Sequence, residues 1–179
     1  AFYLSFATWL AVTRRWTISS FVLSAALVTR HEAIVFLPIW GWFAWRDKAR
    51  WYAIGPILWA PIVANGLAAW LGMHHVLSRF LDPTPTQQYG HGGWLTYFVR
   101  ALHACGPVVT ILAIVGFRGF ARKPAARLVA MSTLIYFLAQ TILFRFGLFA
   151  SGGYSRFLIG ISPLIAIVAV NGVNRMISR

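Results

Sequence analysis

The sequence predicts an all-helical, multi-pass transmembrane bundle with one short or re-entrant hairpin, on three observations. First, 59% of its residues are hydrophobic and 11% charged, with a mean hydropathy of +0.70, where a soluble domain carries about 25% charged residues. Second, several apolar runs approach the roughly 20 residues a helix needs to cross about 30 Å of hydrocarbon. Third, basic residues gather in short clusters between those runs. Tryptophans such as Trp16, Trp45, Trp51, Trp70 and Trp94 stand near the run ends, where interfacial anchors belong.

Residues 1–179 read as a single membrane domain, with helices expected at about 1–12, 17–29, 33–45, 52–71, 99–117, 128–145 and 157–174. The first run, AFYLSFATWLAV, is shorter than a span and has neither a basic leader nor a cleavage-type sequence, so it does not resemble a signal peptide. It reads as a helix continued from upstream, and the chain as the C-terminal portion of a longer protein, truncated at its N-terminus. Basic clusters follow at Arg14-Arg15, Arg46-Lys48-Arg50, Arg118-Arg122-Lys123-Arg127 and Arg175-Arg179. They hold eleven of the sixteen Lys and Arg residues, and the positive-inside bias assigns all four to the cytoplasm, the C-terminus included. The expected location is therefore integral to a membrane, the bacterial cytoplasmic membrane by this reading.

That assignment makes 17–45 a hairpin. Each arm of about 13 residues covers roughly 20 Å, too little to span, so Arg30, His31 and Glu32 form a polar junction at its tip. Irregular backbone at that depth requires protein or water around it. The alternative is one long kinked helix over 17–45. Residues 52–71 run outward through Pro56 and Pro61. Residues 72–98 make a long external loop whose Asp-Pro-Thr-Pro and Gly-His-Gly-Gly pieces are turn chemistry. Runs 99–117, 128–145 and 157–174 then alternate in direction, with a short outer turn at Phe146–Ser155.

Five basic residues, Arg30, Arg79, Arg100, Arg145 and Arg156, stay outside the cytoplasmic clusters. Ionisable groups at membrane depth cost roughly 2.5–3.5 kcal/mol each on insertion scales and usually line a cavity or pathway. Arg145 and Arg156 bracket the last outer turn. A guanidinium holds phosphate oxygens in a bidentate fork, so a cationic outer pocket for an anionic headgroup is one reading of these arginines. Pairing of Arg30 with Glu32, and interfacial snorkelling of the others, is the other.

The net charge of +13 does not imply a nucleic-acid partner, because the arginines lie between apolar runs and form no solvated basic face. The single cysteine, Cys105, excludes an intrachain disulfide and a cysteine-based metal site. His74-His75 lacks a carboxylate or thiolate to complete a metal set. His31 and His103 lack a paired histidine for haem or pigment, and Asp82 before proline is turn chemistry. No metal or cofactor is expected, and no nucleophile motif, Gly-rich phosphate loop or zinc-protease motif is present.

Two segments carry a family resemblance: RRW at 14–16 with LVTRHEAIVFLP at 27–38, and GGYSRFLIGISPLIAIVAVNG at 152–172. They resemble the basic turn, the Thr-Arg-x-Glu segment, and the late outer loop with its Pro-containing helix of GT-C superfamily membrane glycosyltransferases, the protein mannosyltransferase-like group that uses polyprenyl-phosphate-linked sugars. The resemblance covers about a third of the chain. It implies a helical membrane bundle, a lipid-linked sugar phosphate as donor substrate, and transfer at the non-cytoplasmic face. It implies donor-phosphate contacts by Arg30 and Arg156, with Arg145 bracketing the same turn, and places Glu32 beside Arg30. The family's base is a carboxylate in its first external loop, a segment this sequence does not contain, so the catalytic residue is left unassigned. A non-catalytic accessory subunit packed against a larger membrane complex, with other membrane proteins and lipids as partners, is the alternative. A transporter of a lipid-linked intermediate is a third, which would show paired broken helices.

Overall fold

The computed structural model describes residues 2–29, 31–73, 91–147 and 153–177, and every regular element among them is helical. They fall into two compact units, Phe2–Pro83 and Thr84–Arg179.

The N-terminal unit is built around a single helix. Phe2–Val12 (α1) leads through a basic turn into Trp16–Thr29 (α2). A 3-10 helix, His31–Phe36, then leads into Leu37–Arg46 (α3). Trp51–Ile54 (α4), a 3-10 turn at Gly55–Leu58 and Trp59–Trp70 (α5) complete it. The chain reverses at the 3-10 helix. Trp40 Nε1 donates to Ser19 Oγ at 2.8 Å across 21 residues, and the Trp16 and Trp40 rings meet edge to face at 5.4 Å. A continuous helix would hold Ser19 and Trp40 about 32 Å apart, so 17–45 is not one long helix.

Small polar side chains make α2 the hub. Ser19, Ser20 and Ser24 are fully buried. Ser19 Oγ donates to Ala7 O on α1 at 2.8 Å, Ser20 Oγ reaches the carbonyls of Trp16 and Ala53, and Ser24 Oγ accepts the Ala60 amide at 2.9 Å. That last bond caps α5 from outside, because Ala60 lies in its first turn, where amides have no intrahelical acceptor. Trp59 Nε1 adds a bond to Phe21 O at 3.2 Å.

Helices α1, α3 and α5 end in the same way. In each, two successive amides beyond the helix return to its last turn: Arg14 to Ala11 and Arg15 to Leu10, Lys48 to Trp45 and Ala49 to Ala44, Gly72 to Ala69 and Met73 to Ala68. This arrangement needs a left-handed residue just past the helix. Gly72 takes that position after α5 at φ 65°, but Arg14 (φ 61°) and Lys48 (φ 54°) take it after α1 and α3. Arg14 Nε lies 3.8 Å from Asp47 Oδ2, so both basic turns occupy one end of this unit.

The C-terminal unit contains Thr96–Cys105 (α6), Pro107–Arg122 (α7), Pro124–Arg145 (α8), a 3-10 helix at Ser155–Ile161 and Ser162–Ile177 (α9). The apolar run expected as one helix at 99–117 is two, meeting at 114°. Gly106 sits at φ 82°, ψ 152° between them, a conformation only glycine adopts freely, and Pro107 cannot continue the preceding helix. Buried Thr110 holds the corner, its hydroxyl lying 3.1 Å from Ala101 O and 2.9 Å from Gly106 O.

Helices α7 and α9 cross at two glycines. A Cβ on Gly116 would fall 2.5 Å from Gly172 N and Val168 O, and one on Gly172 would fall 2.1 Å from Leu112 O. Asn171 Nδ2 donates to Gly116 O at 2.9 Å while its Oδ1 accepts from Lys123 Nζ at 3.1 Å. Small residues and interhelical polar bonds are how helices associate in lipid, where the hydrophobic effect no longer separates one apolar surface from another. Among the described residues, Ala126–Arg145 (20 residues) and Ser155–Ile177 (23 residues) are long and apolar enough to cross a membrane, and the bent α6–α7 pair makes three if counted as one span. Helices α1 and α2 are apolar but shorter.

Candidate functional site

The two ends of the C-terminal unit differ. One carries Arg118, Arg122, Lys123 and Arg175, the last donating to Val115 O at 3.4 Å. Helix α8 starts there, and its 22 residues carry the chain about 33 Å to the other end.

At that other end Phe144 is the fixed point. Its ring meets buried Tyr97 edge to face at 5.9 Å. Gly92 and Gly153 press on it so closely that an added Cβ would lie 2.0 Å and 2.5 Å from ring atoms. Phe144 O accepts the Gly92 amide at 3.3 Å, and Tyr136 OH donates to Phe157 O at 3.0 Å. Segment 153–157 is thereby laid along residues 136–144 of α8. The same packing sets Arg145, the last residue of α8, and Arg156, in the 3-10 helix, at one end of one unit, both exposed. The Arg156 guanidinium carbon lies 4.8 Å from the Tyr154 ring centroid and 5.6 Å from that of Phe157. Two aromatic rings this close restrict a long side chain and attract its charge.

The hairpin junction belongs to the N-terminal unit. Glu32 is buried in the first turn of the 3-10 helix that reverses the chain. Arg30 lies outside the described residues, as do Arg79, Asp82, His74 and His75, and of His31 only the backbone is described. His103 and Arg100 are exposed on α6. Asp47 stands at the basic end of its unit beside Arg14. No group of three or more potential metal ligands occurs among the described residues.

A second feature is visible only in three dimensions. Arg14, Arg15, Trp16, Thr17, Ile18, Ala49, Arg50 and Ala53 surround an open cavity of about 460 Å³ at the basic end of the N-terminal unit. Its residues come from the two basic turns and the helix starts that follow them. The sequence signal is present in RRW and RDKARW, but topology, and for RRW the basic turn of the family resemblance, accounts for both clusters without a cavity. The buried serines of α2 were missed as well, since three serines in an apolar run carry no charge signal.

No protein-family model, curated protein or solved structure matches the chain.

Proposed function

We propose that this is a GT-C-type membrane glycosyltransferase-like protein that holds a polyprenyl-phosphate-linked sugar at the non-cytoplasmic face, through Arg145 and Arg156. The observation that carries the reading is their placement: with Gly92 and Gly153 packed on Phe144, exposed Arg145 and Arg156 both lie at the end of the C-terminal unit away from its basic cluster. Two arginines bind a phosphate diester by charge-assisted forks, and the rings beside Arg156 leave its head less freedom to lose on binding. The positive-inside rule makes that end non-cytoplasmic, and the resemblance of 152–172 to the family's late outer loop supports the same assignment. The same reading makes the bundle multi-pass, with 17–45 a short or re-entrant hairpin and the sequence triplet Arg30, His31 and Glu32 its polar junction, Arg30 lying outside the described residues.

The test is retention of a polyprenyl-phosphate hexose by the purified chain in detergent. Arg145→Gln and Arg156→Gln should each weaken it by roughly tenfold, as expected for loss of one hydrogen bond to a charged group. An Arg145→Gln/Arg156→Gln double variant that retains the probe like the parent would refute the site.

The placement of the carboxylates favours a second reading. Asp47 is at the basic end of its unit and Glu32 is buried in a turn. Both belong to the N-terminal unit, and the described part of the C-terminal unit, which carries Arg145 and Arg156, contains no carboxylate side chain. A non-catalytic accessory subunit needs no base and would use lipid-facing apolar surface, such as Ile62, Leu67 and Trp70 on α5, against partner helices. A donor-binding chain with no transfer activity, recovered with a membrane partner, would identify it.

A further inference from the structure

We propose that the cavity between the α1–α2 turn and the start of α4 is a binding site for the phosphate of an anionic phospholipid. It is separate from the donor-phosphate reading of Arg145 and Arg156 and does not depend on it, since it requires only that the chain sit in a membrane.

Four observations carry it. The first is the lining: three of the eight residues around the roughly 460 Å³ cavity are arginines, Arg14, Arg15 and Arg50, and none is acidic. The second is the backbone. Arg14 occupies a left-handed position at φ 61°, which disfavours every residue with a Cβ, and Lys48 repeats this at φ 54° in the neighbouring turn of the same basic end. Glycine does the same work after α5, so basic side chains stand where the backbone prefers none. Residues in sparsely populated backbone regions gather at functional sites.

The third is a shortage of side-chain acceptors: of the eight lining residues only Thr17 carries one. The residue preceding α2 is Arg15, whose side chain has no acceptor atom to cap the first amides of the helix. The site is therefore rich in donors and poor in acceptors, which suits an anion. The fourth observation selects a lipid over a soluble phosphate. Exposed Ile18 lies in the cavity wall, and Trp42, Trp45 and Trp51 are exposed on the segments that flank it. Tryptophans at a basic helix end mark the headgroup level of a membrane. A lipid with its phosphate in the cavity would lay its chains over that apolar surface, which a free ion has no means to use. Arg14 also carries the contact with Asp47 at 3.8 Å, so the test leaves it in place and varies Arg15 and Arg50, whose charges line the same cavity.

The experiment uses the full chain in detergent and measures binding of phosphatidylglycerol, phosphatidylcholine and inorganic phosphate by native mass spectrometry. An arginine near an anionic lipid surface contributes about fivefold in affinity, so Arg15→Gln/Arg50→Gln should lose roughly 30-fold for phosphatidylglycerol and little for phosphatidylcholine. Arg118→Gln/Arg122→Gln removes the same charge from the other unit and should lose less than about threefold by the same scale. Thr17→Glu guards against a folding defect. An acid in the first turn of α2 favours the helix while repelling phosphate from the cavity, so it should keep the thermal midpoint and lose the lipid. Equal losses in the two double variants would overturn the proposal in favour of diffuse attraction. An unchanged Arg15→Gln/Arg50→Gln chain would overturn it outright. Displacement of phosphatidylglycerol by inorganic phosphate at equal concentration would make this a soluble-anion site and overturn the lipid assignment.

Discussion

Replacing Gly172 by alanine should separate the two halves of the α7–α9 crossing, and the cost can be worked from the structure. The added Cβ would lie 2.1 Å from Leu112 O, 2.9 Å from Leu112 C and 3.2 Å from Leu112 Cα. All three are backbone atoms, so no rotamer change absorbs the clash and the helix axes must part by about 1 Å. Overpacking of this kind costs about 1–3 kcal/mol. Parting also stretches the 2.9 Å bond from Asn171 Nδ2 to Gly116 O, a loss of about 1 kcal/mol. Alanine returns about 1 kcal/mol through its better helix propensity. The net expectation is about 1–3 kcal/mol of destabilisation. Gly66→Ala isolates the propensity gain, because a Cβ there meets nothing within 4 Å in the middle of α5. Unfolding followed by far-UV ellipticity in detergent should therefore place the two variants about 2–4 kcal/mol apart, with opposite signs. A Gly116→Ala/Gly172→Ala double variant should cost less than the sum, since axes already parted admit the second methyl. If Gly172→Ala unfolds at the same midpoint as Gly66→Ala, the close crossing is not what holds this unit together.

Arg14→Gly should stabilise the fold by up to about 1 kcal/mol, the left-handed penalty of about 1–2 kcal/mol being partly offset by the extra freedom of glycine in the unfolded chain. The ion pair lost with it joins a largely exposed arginine to Asp47 and contributes little, so a lowered thermal midpoint would argue against strain at Arg14. Ser24→Ala should cost about 1–3 kcal/mol, because the buried Ala60 amide loses its acceptor; hydrogen exchange at Ala60 should speed up while that in α9 stays unchanged. Gly106→Ala should cost about 1–3 kcal/mol at φ 82°. Spin labels at Val99 and Ile114 would report whether the 114° bend relaxes, and an unaltered distance with unaltered stability would count against a glycine requirement there.

Hydropathy located helices well where the chain is both apolar and uninterrupted. Trp16–Thr29 lies within a residue of the run at 17–29, and α8 contains the run at 128–145. It failed at Gly106-Pro107, because a 19-residue average runs through a two-residue corner without a change of sign. The composition of α6 carried a warning: Thr96, Arg100 and His103 place three polar side chains in ten residues, more than a buried span tolerates cheaply. The reversal at the 3-10 helix His31–Phe36 was legible for a different reason. Two flanking basic clusters limit the lengths of the arms, and a charged triplet at their midpoint has no other place to go. The basic cavity was not legible, since Arg15 and Arg50 are 35 positions apart in sequence, and only the packing of Ser20 on Ala53 brings their turns together.

In an apolar chain, each polar side chain either satisfies the backbone or remains available, and the sorting separates scaffold from site. Thr8, Thr133 and Thr141 donate to carbonyls four residues back in their own helices, and Ser19, Ser20 and Ser24 bind the backbone or side chains of neighbouring segments. These groups are consumed by the fold, and their removal should be read in stability. Two buried polar atoms among the described residues have no partner, Ser5 Oγ and Trp16 Nε1. Ser5 stands on α1, about two and a half turns before the Arg14-Arg15 turn. Trp16 lies in the wall of a cavity with three arginines, but its indole N–H is enclosed in that wall, so the anion donors there are the arginines. The same criterion favours Arg156, which is held by aromatic rings and, among the described residues, by no carboxylate. An arginine fixed by ring faces keeps its N–H fork for a ligand, whereas one fixed by an acid has already spent it. Substitution at Arg156 should therefore change phosphate retention more than it changes the unfolding midpoint, and substitution at Ser24 should do the reverse.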